Sequence, residues 1–190
     1  MEYLKDIERA LAVLAEEGVI LYPTDTIWGL GCDAASEKGI ASIRKIKRRP
    51  AGSSMVVLVS KTDMMREYIS ELPETALDLI NRYKKPLTLV LPARRGLLSP
   101  SLLSPDGYLG IRVTSDPFCV TLIEKFGRPV VSTSANISGN PPPELFDDIE
   151  KYIIESADYT VMHRRDDRER SLPSAIIRID RSGDISILRQ

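Results

Sequence analysis

The sequence predicts an α/β fold with a mixed sheet, organised as a single domain over 1–190, and three observations carry that prediction. The chain has 190 residues, against a soft expectation of about 150 per domain, so one domain with a substantial core accounts for it. Short apolar runs suited to buried strands alternate with amphipathic helical segments. The last two apolar runs flank Asp180-Arg181-Ser182-Gly183, a hairpin signal that adds antiparallel pairing to a βα-alternating chain.

Leu4, Ile7, Leu11 and Leu14 recur at three- and four-residue steps, which predicts a helix over 3–16 ended by Gly18. Val19 to Tyr22 is apolar at every position, as a strand covered on both faces would be, and the polar turn Pro23-Thr24-Asp25-Thr26 follows. Ser36 caps a helix from Glu37 to Ile46, which runs into the breaker-rich segment Lys47 to Ser54 before a strand at Met55 to Val59. Two short helices follow, over 63–68 and from Pro73 in a first turn to Tyr83, then a strand at Leu87 to Leu91. An irregular Pro- and Gly-rich connection leads to a strand at Tyr108 to Val113.

Asp116-Pro117 caps a helix over 118–126 that Gly127 closes, and Pro129-Val130-Val131 forms a buried strand running into Ser132 to Gly139. A helix near 145–155, a short strand at 159–162 and a charged, solvated, mobile stretch from Arg164 to Arg170 precede the terminal hairpin of 175–179 with 184–188.

Hydrophobic residues make up 43% and charged residues 28%, ordinary globular usage, and a net charge of −1 removes the overall basic field of a strong nucleic-acid binder. No apolar run approaches the roughly 20 residues of a membrane span, and the first residues lack a secretion-signal pattern, so a cytoplasmic protein with no membrane association is expected. Cys32 and Cys119 have no metal-site or disulfide spacing and are expected to pack as reduced apolar residues; no metal site is expected, and the single histidine, His163, receives no role.

Three polar segments lie at predicted strand ends, where open α/β sheets bind ligands: Pro23 to Thr26, Lys47 to Ser54, and Ser132 to Asn136. Lys47, Arg48 and Arg49 offer clustered cationic donors suited to a polyphosphate, or a solvated helix end favoured by the helix dipole. Ser132, Thr133, Ser134 and Asn136 offer donors for phosphate or carboxylate oxygens, or a turn that satisfies its own backbone. The chain has no GxxxxGK[ST], GxGxxG, GxSxG or HExxH.

Five ordered segments resemble the motifs of the YrdC-like family, whose central activity is threonylcarbamoyl-AMP synthesis. They are Tyr22 to Gly31, Lys47-Arg48-Arg49-Pro50, Pro86 to Leu91, Gly110-Ile111-Arg112-Val113 and Ser132 to Gly139. The resemblance spans about Leu11 to Leu188 and is to the short, single-domain type. It implies an open, twisted sheet with helices on its faces and a large basic cavity binding ATP and L-threonine. Lys47 and Arg49 match residues that hold ATP phosphates, and Ser134 and Asn136 a Ser-x-Asn pair near the nucleotide; these four form the implied catalytic set. Thr24, Thr26, Ser132 and Ser174 match positions around threonine, Arg112 the arginine on its carboxylate, and Arg189 an arginine reaching the nucleotide. The implied reaction joins L-threonine, bicarbonate and ATP, with Mg2+ carried by the ATP phosphates, and passes its product to a tRNA-modifying transferase. Ser53-Ser54 replaces the usual Lys-Pro, Trp28 stands where tyrosine is common, and Tyr108 stands where threonine often meets the nucleotide. Two alternatives stay open: a non-catalytic module of the same fold binding double-stranded RNA, and a paralogue adenylating another small substrate.

Overall fold

The computed structural model describes residues 2–50, 53, 55–170 and 172–190. Its helices are α1 (Glu2–Ala15), α2 (Glu37–Ile46), α3 (Thr62–Tyr68), α4 (Glu74–Arg82), α5 (Pro117–Phe126) and α6 (Lys151–Ser156). Its strands are β1 (Ile20–Tyr22), β2 (Gly29–Gly31), β3 (Val56–Val59), β4 (Leu87–Pro92), β5 (Tyr108–Val113), β6 (Val130–Ser134), β7 (Tyr159–Thr160), β8 (Ala175–Ile179) and β9 (Ile185–Arg189). All nine join one mixed sheet in the order β7-β1-β2-β6-β3-β5-β4-β8-β9.

Local chemistry sets most boundaries. Ser36 Oγ accepts from Gly39 N at 2.9 Å at the start of α2, and Asp116 Oδ1 accepts from Cys119 N at 2.9 Å at the start of α5. Gly127 ends α5 at φ 71°. The end of α1 departs from expectation, because the left-handed residue is Glu17 (φ 60°), and Gly18 N donates to Val13 O at 2.9 Å as the next link of that cap. Pro73 is the N-cap of α4 rather than a first-turn residue.

Three other expectations are corrected. The strand beginning at Val130 extends through Ser134, because Ser132 pairs with Val56 of β3 and Ser134 with Gly29 of β2. The helix near 145–155 is a 3-10 turn at Phe146–Asp148 followed by α6, because Ile149 and Glu150 take extended or irregular backbone between them. The stretch Arg164 to Arg170 is exposed only from Asp166 onward; Arg164 and Arg165 are half-buried, and Arg164 bonds to Asp116 and to Thr24 O.

The strand β2, Gly-Leu-Gly, was absent from the apolar pattern. A Cβ on Gly31 would lie 2.6 Å from Tyr22 Cε1 and 2.7 Å from Val131 O. The bare glycine lets the Tyr22 side chain, whose hydroxyl donates to Val131 O at 3.1 Å, pass close to β2. Along the central strands the side chains alternate between two faces. Val57, Leu89, Ile111 and Ile177 enter the apolar core with Ile7, Met65 and Leu122 from the helices. Their neighbours Val56, Val90, Gly110 and Arg178 are directly paired across β3, β5, β4 and β8 and line the opposite face. Cys32 and Cys119 are buried free thiols, as expected.

Candidate active site

That opposite face of the sheet floors a cavity of about 530 Å³, walled by the Thr26–Gly29 segment, by Pro142 and Pro173, and by β9. Arg49, Arg112, Arg178 and Arg189 line it, with no aspartate or glutamate among the lining residues. Arg112 and Arg178 are paired with carboxylates outside the lining, Asp25 and Asp106, and the four-arginine lining as a whole suits an anionic ligand. Burial lowers the pKa of Arg189, and the nearby Arg112 charge adds to that effect.

Arg112 is placed by the alternation of β5 on the cavity face, yet its side chain is only 5% exposed. Its Nη2 lies 3.2 Å from Asp25 Oδ1, and its Nη1 donates to Thr26 Oγ1 at 3.3 Å. Its Nε is buried without a hydrogen-bond partner. The turn Pro23 to Thr26 is itself locked: Thr24 Oγ1 donates to Ile27 O at 2.8 Å, accepts from Thr26 N at 3.1 Å, and sits 2.9 Å from Thr26 Oγ1. Thr26 therefore borders the cavity while Thr24 lies behind it, its hydroxyl spent within the turn.

At the same cavity Thr88 Oγ1 and Ser174 Oγ are 2.8 Å apart, and Arg189 Nε donates to Ser174 O at 2.9 Å. This joins Ser174 and Arg189, seen separately in sequence, into one unit. Ser132 and Ser134 reach the cavity from β6, with Asn136 just beyond, and Arg49 Nη1 donates to Thr133 Oγ1 at 3.1 Å. A smaller compartment of about 290 Å³, lined by Arg49, Ser53, Ser134 and Ser138 among others, adjoins these residues. Ser54 lies outside the described residues.

The basic triplet is divided by the structure. Arg49 faces the cavity, whereas Arg48 is exposed and sets its guanidinium 5.4 Å from the Tyr152 ring centroid. Lys47 is 1% exposed. Its ammonium donates to Ser134 O, to Asn136 O at 2.7 Å and to Asn136 Oδ1 at 3.2 Å. Burial, with a smaller contribution from the like charge of Arg49, pushes its pKa down to about 7.

Two residues escaped the sequence reading, one lining the cavity and one behind its wall. Arg178 covers the Tyr108 ring at 3.7 Å and donates to Asp106 at 2.6 Å. The alternation of β8, with Ile177 and Ile179 inward, was the signal that could have placed Arg178 on the cavity face. Asp25 lay within a quoted motif without a role. Trp28 packs on Phe146 at 4.8 Å between ring centroids and borders the cavity. Among the described residues no cluster of three or more His, Cys, Asp or Glu is placed to hold a metal, and no helix is long and apolar enough to cross a membrane.

Fold and site together define an open α/β protein with an arginine-lined anion cavity. The Sua5/YciO/YrdC family model, whose description reads telomere recombination, matches residues 12–190, and the chain belongs to that family. It is 32% identical over 164 residues to threonylcarbamoyl-AMP synthase of Xanthomonas oryzae pv. oryzae, covering 85% of this chain and 87% of that one. It is 35% identical over 147 residues to the Escherichia coli O6:H1 protein of the same name, covering 75% and 76%. Among solved structures, P. abyssi Sua5 complexed with L-threonine superposes with a TM-score of 0.82 at 26% identity, covering 100% of this chain and 54% of that one. E. coli YciO shares the fold, with a TM-score of 0.84 at 22% identity over 98% of this chain and 89% of its own.

Proposed function

We propose that this protein is a threonylcarbamoyl-AMP synthase, forming threonylcarbamoyl-AMP and pyrophosphate from L-threonine, bicarbonate and ATP. The observation that carries the reading is one cavity whose lining holds no carboxylate and includes Arg112, bonded to Thr26, and Arg49, bonded to Thr133, together with Ser132, Ser134 and Ser174. The relatives named for this synthesis, and the threonine complex of a structural relative, support it.

In this assignment the Arg112 guanidinium meets the threonine carboxylate, with Thr26, Ser132 and Ser174 around the amino acid. The threonine amine takes up CO2 derived from bicarbonate, losing a proton and becoming a carbamate. A carbamate oxygen then attacks the α-phosphorus of ATP, and the bond to the β-phosphate oxygen breaks to release pyrophosphate. No protein nucleophile is required; the chain's own contribution is orientation and charge stabilisation. Arg49, Ser134 and Arg189 hold the nucleotide's oxygens, and Lys47 and Asn136 shape the segment that carries Ser134. With no carboxylate lining the cavity, the residues suit a Mg2+ that arrives on the ATP phosphates rather than one held by the protein. The product would be consumed by a separate transferase that modifies tRNA, a role that belongs in the cytoplasm.

Purified protein supplied with all three substrates should release pyrophosphate, and omission of threonine, bicarbonate or ATP should each abolish it. Equal release without threonine sinks the proposal. Tight binding of duplex RNA without any turnover would favour a binding module instead.

A further inference from the structure

We propose that Lys47 is a positioning residue that braces the Ser134–Asn136 segment from behind, rather than a group that touches the phosphates. The inference rests on the synthase reading for what the segment does, but its geometry stands without it. The Lys47 Nζ faces three oxygens, Ser134 O, Asn136 O and Asn136 Oδ1, one for each hydrogen it carries when protonated. The same residue works in the other direction too, since Ser138 N donates to Lys47 O at 2.9 Å. The end of α2 is thereby stitched to the segment after β6 on both sides.

Asn136 completes the brace. Its Oδ1 accepts from Lys47, and its Nδ2 donates to Asn140 O at 2.6 Å and Ile137 O at 3.2 Å, so both amide hydrogens are committed within the protein. The Lys47 side chain borders the smaller compartment but not the main cavity, and only 1% of the residue is exposed. Arg49, two residues on, does line the main cavity. The Lys-x-Arg spacing therefore separates two tasks: one cation fixes the frame and the next faces the ligand. What the brace fixes is the direction of Ser134, whose carbonyl is held from behind while its residue borders the cavity.

Lys47→Met, Asn136→Ala and the double variant are compared with wild type. The brace predicts that without any nucleotide the Ser138 amide exchanges at least about tenfold faster in Lys47→Met, as loss of a neighbouring hydrogen-bonded anchor implies. Each single variant should lower kcat/KM for ATP by a similar factor, and the double variant should be scarcely worse than the weaker single, because both remove one unit. Threonine affinity measured without ATP should stay close to wild type, which shows an intact fold. Losses that multiply in the double variant, or unchanged Ser138 exchange, overturn the proposal. Should Lys47→Met fail to fold, the wild type decides. Followed by 15N NMR, the Lys47 Nζ resonance should hold its position as ATP saturates while the Ser134 amide moves, and a large Nζ shift overturns the brace. A wild type that binds ATP yet releases no pyrophosphate would sink the synthase reading and leave these binding and exchange results interpretable.

Discussion

Asp25 and Arg112 form an ion pair at 3.2 Å with both side chains at 7% exposure or less, one in the turn after β1 and the other near the end of β5. The carboxylate faces the guanidinium from the turn as an ion pair, and Arg112 Nε is buried without a hydrogen-bond partner. Removing one partner of such a pair strands a buried charge, which costs about 3–5 kcal/mol. Asp25→Ala should therefore lose stability on that scale in urea unfolding, and a loss below about 1 kcal/mol would mean the pair is solvated in practice.

Arg112→Lys should raise the threonine requirement by about tenfold or more while leaving the ATP requirement nearly unchanged. A point ammonium cannot face Asp25, Thr26 and a carboxylate together as the planar fork does. Equal apparent affinities for threonine in titrations of the two proteins would remove Arg112 from the amino-acid end.

Arg49→Ala should weaken ATP use by about ten- to a hundred-fold, the worth of one charge-assisted hydrogen bond at about 1.5–3 kcal/mol. Threonine binding without ATP should be unaffected. Wild-type turnover in this variant would place the phosphates elsewhere.

Lys47 gives a pH signature with a definite sign. Its folded pKa is pushed down to about 7 by burial and then by Arg49, whereas an unfolded lysine titrates near 10.4. Between those values the unfolded chain binds more protons, so this group makes stability rise with pH, by up to about 1.4 kcal/mol per unit, and contributes no slope below the folded value. The unfolding free energy of wild type minus that of Lys47→Met should therefore grow from pH 7 to pH 9. A flat difference contradicts the depressed pKa.

Gly31→Ala should destabilise by about 1–3 kcal/mol, the usual cost of overpacking, because its Cβ would meet both the Tyr22 ring and the Val131 carbonyl. Thermal unfolding checks this, and an unchanged melting temperature would mean that β2 shifts freely.

What was legible in sequence is what neighbouring residues decide. The caps at Ser36 and Asp116, the αL glycine at Gly127 and the turn at Gly183 are each fixed by a few adjacent residues, and each stands where expected. The strand β2 was not legible, since Gly29 and Gly31 carry no apolar signal and are selected by Tyr22, Ser132 and Val131 packing on them. The direction of Lys47 was not legible either: a basic triplet at a helix end reads as solvated, and only the carbonyls of Ser134 and Asn136, nearly ninety residues on, turn it inward. Ser132, Ser134, Arg112 and Thr26 were found as site candidates through motif resemblance, and the structure brings them to one cavity with Ser174 and Arg189. Thr24 and Lys47 stand behind it.

The most direct measurement supplies 13C-bicarbonate with L-threonine, ATP and Mg2+ and analyses the products by mass spectrometry and 31P NMR. The account predicts an adenylate bearing one 13C between threonine and AMP, formed in equal amount with pyrophosphate. An unlabelled threonyl adenylate, or pyrophosphate with no labelled adenylate, would contradict it.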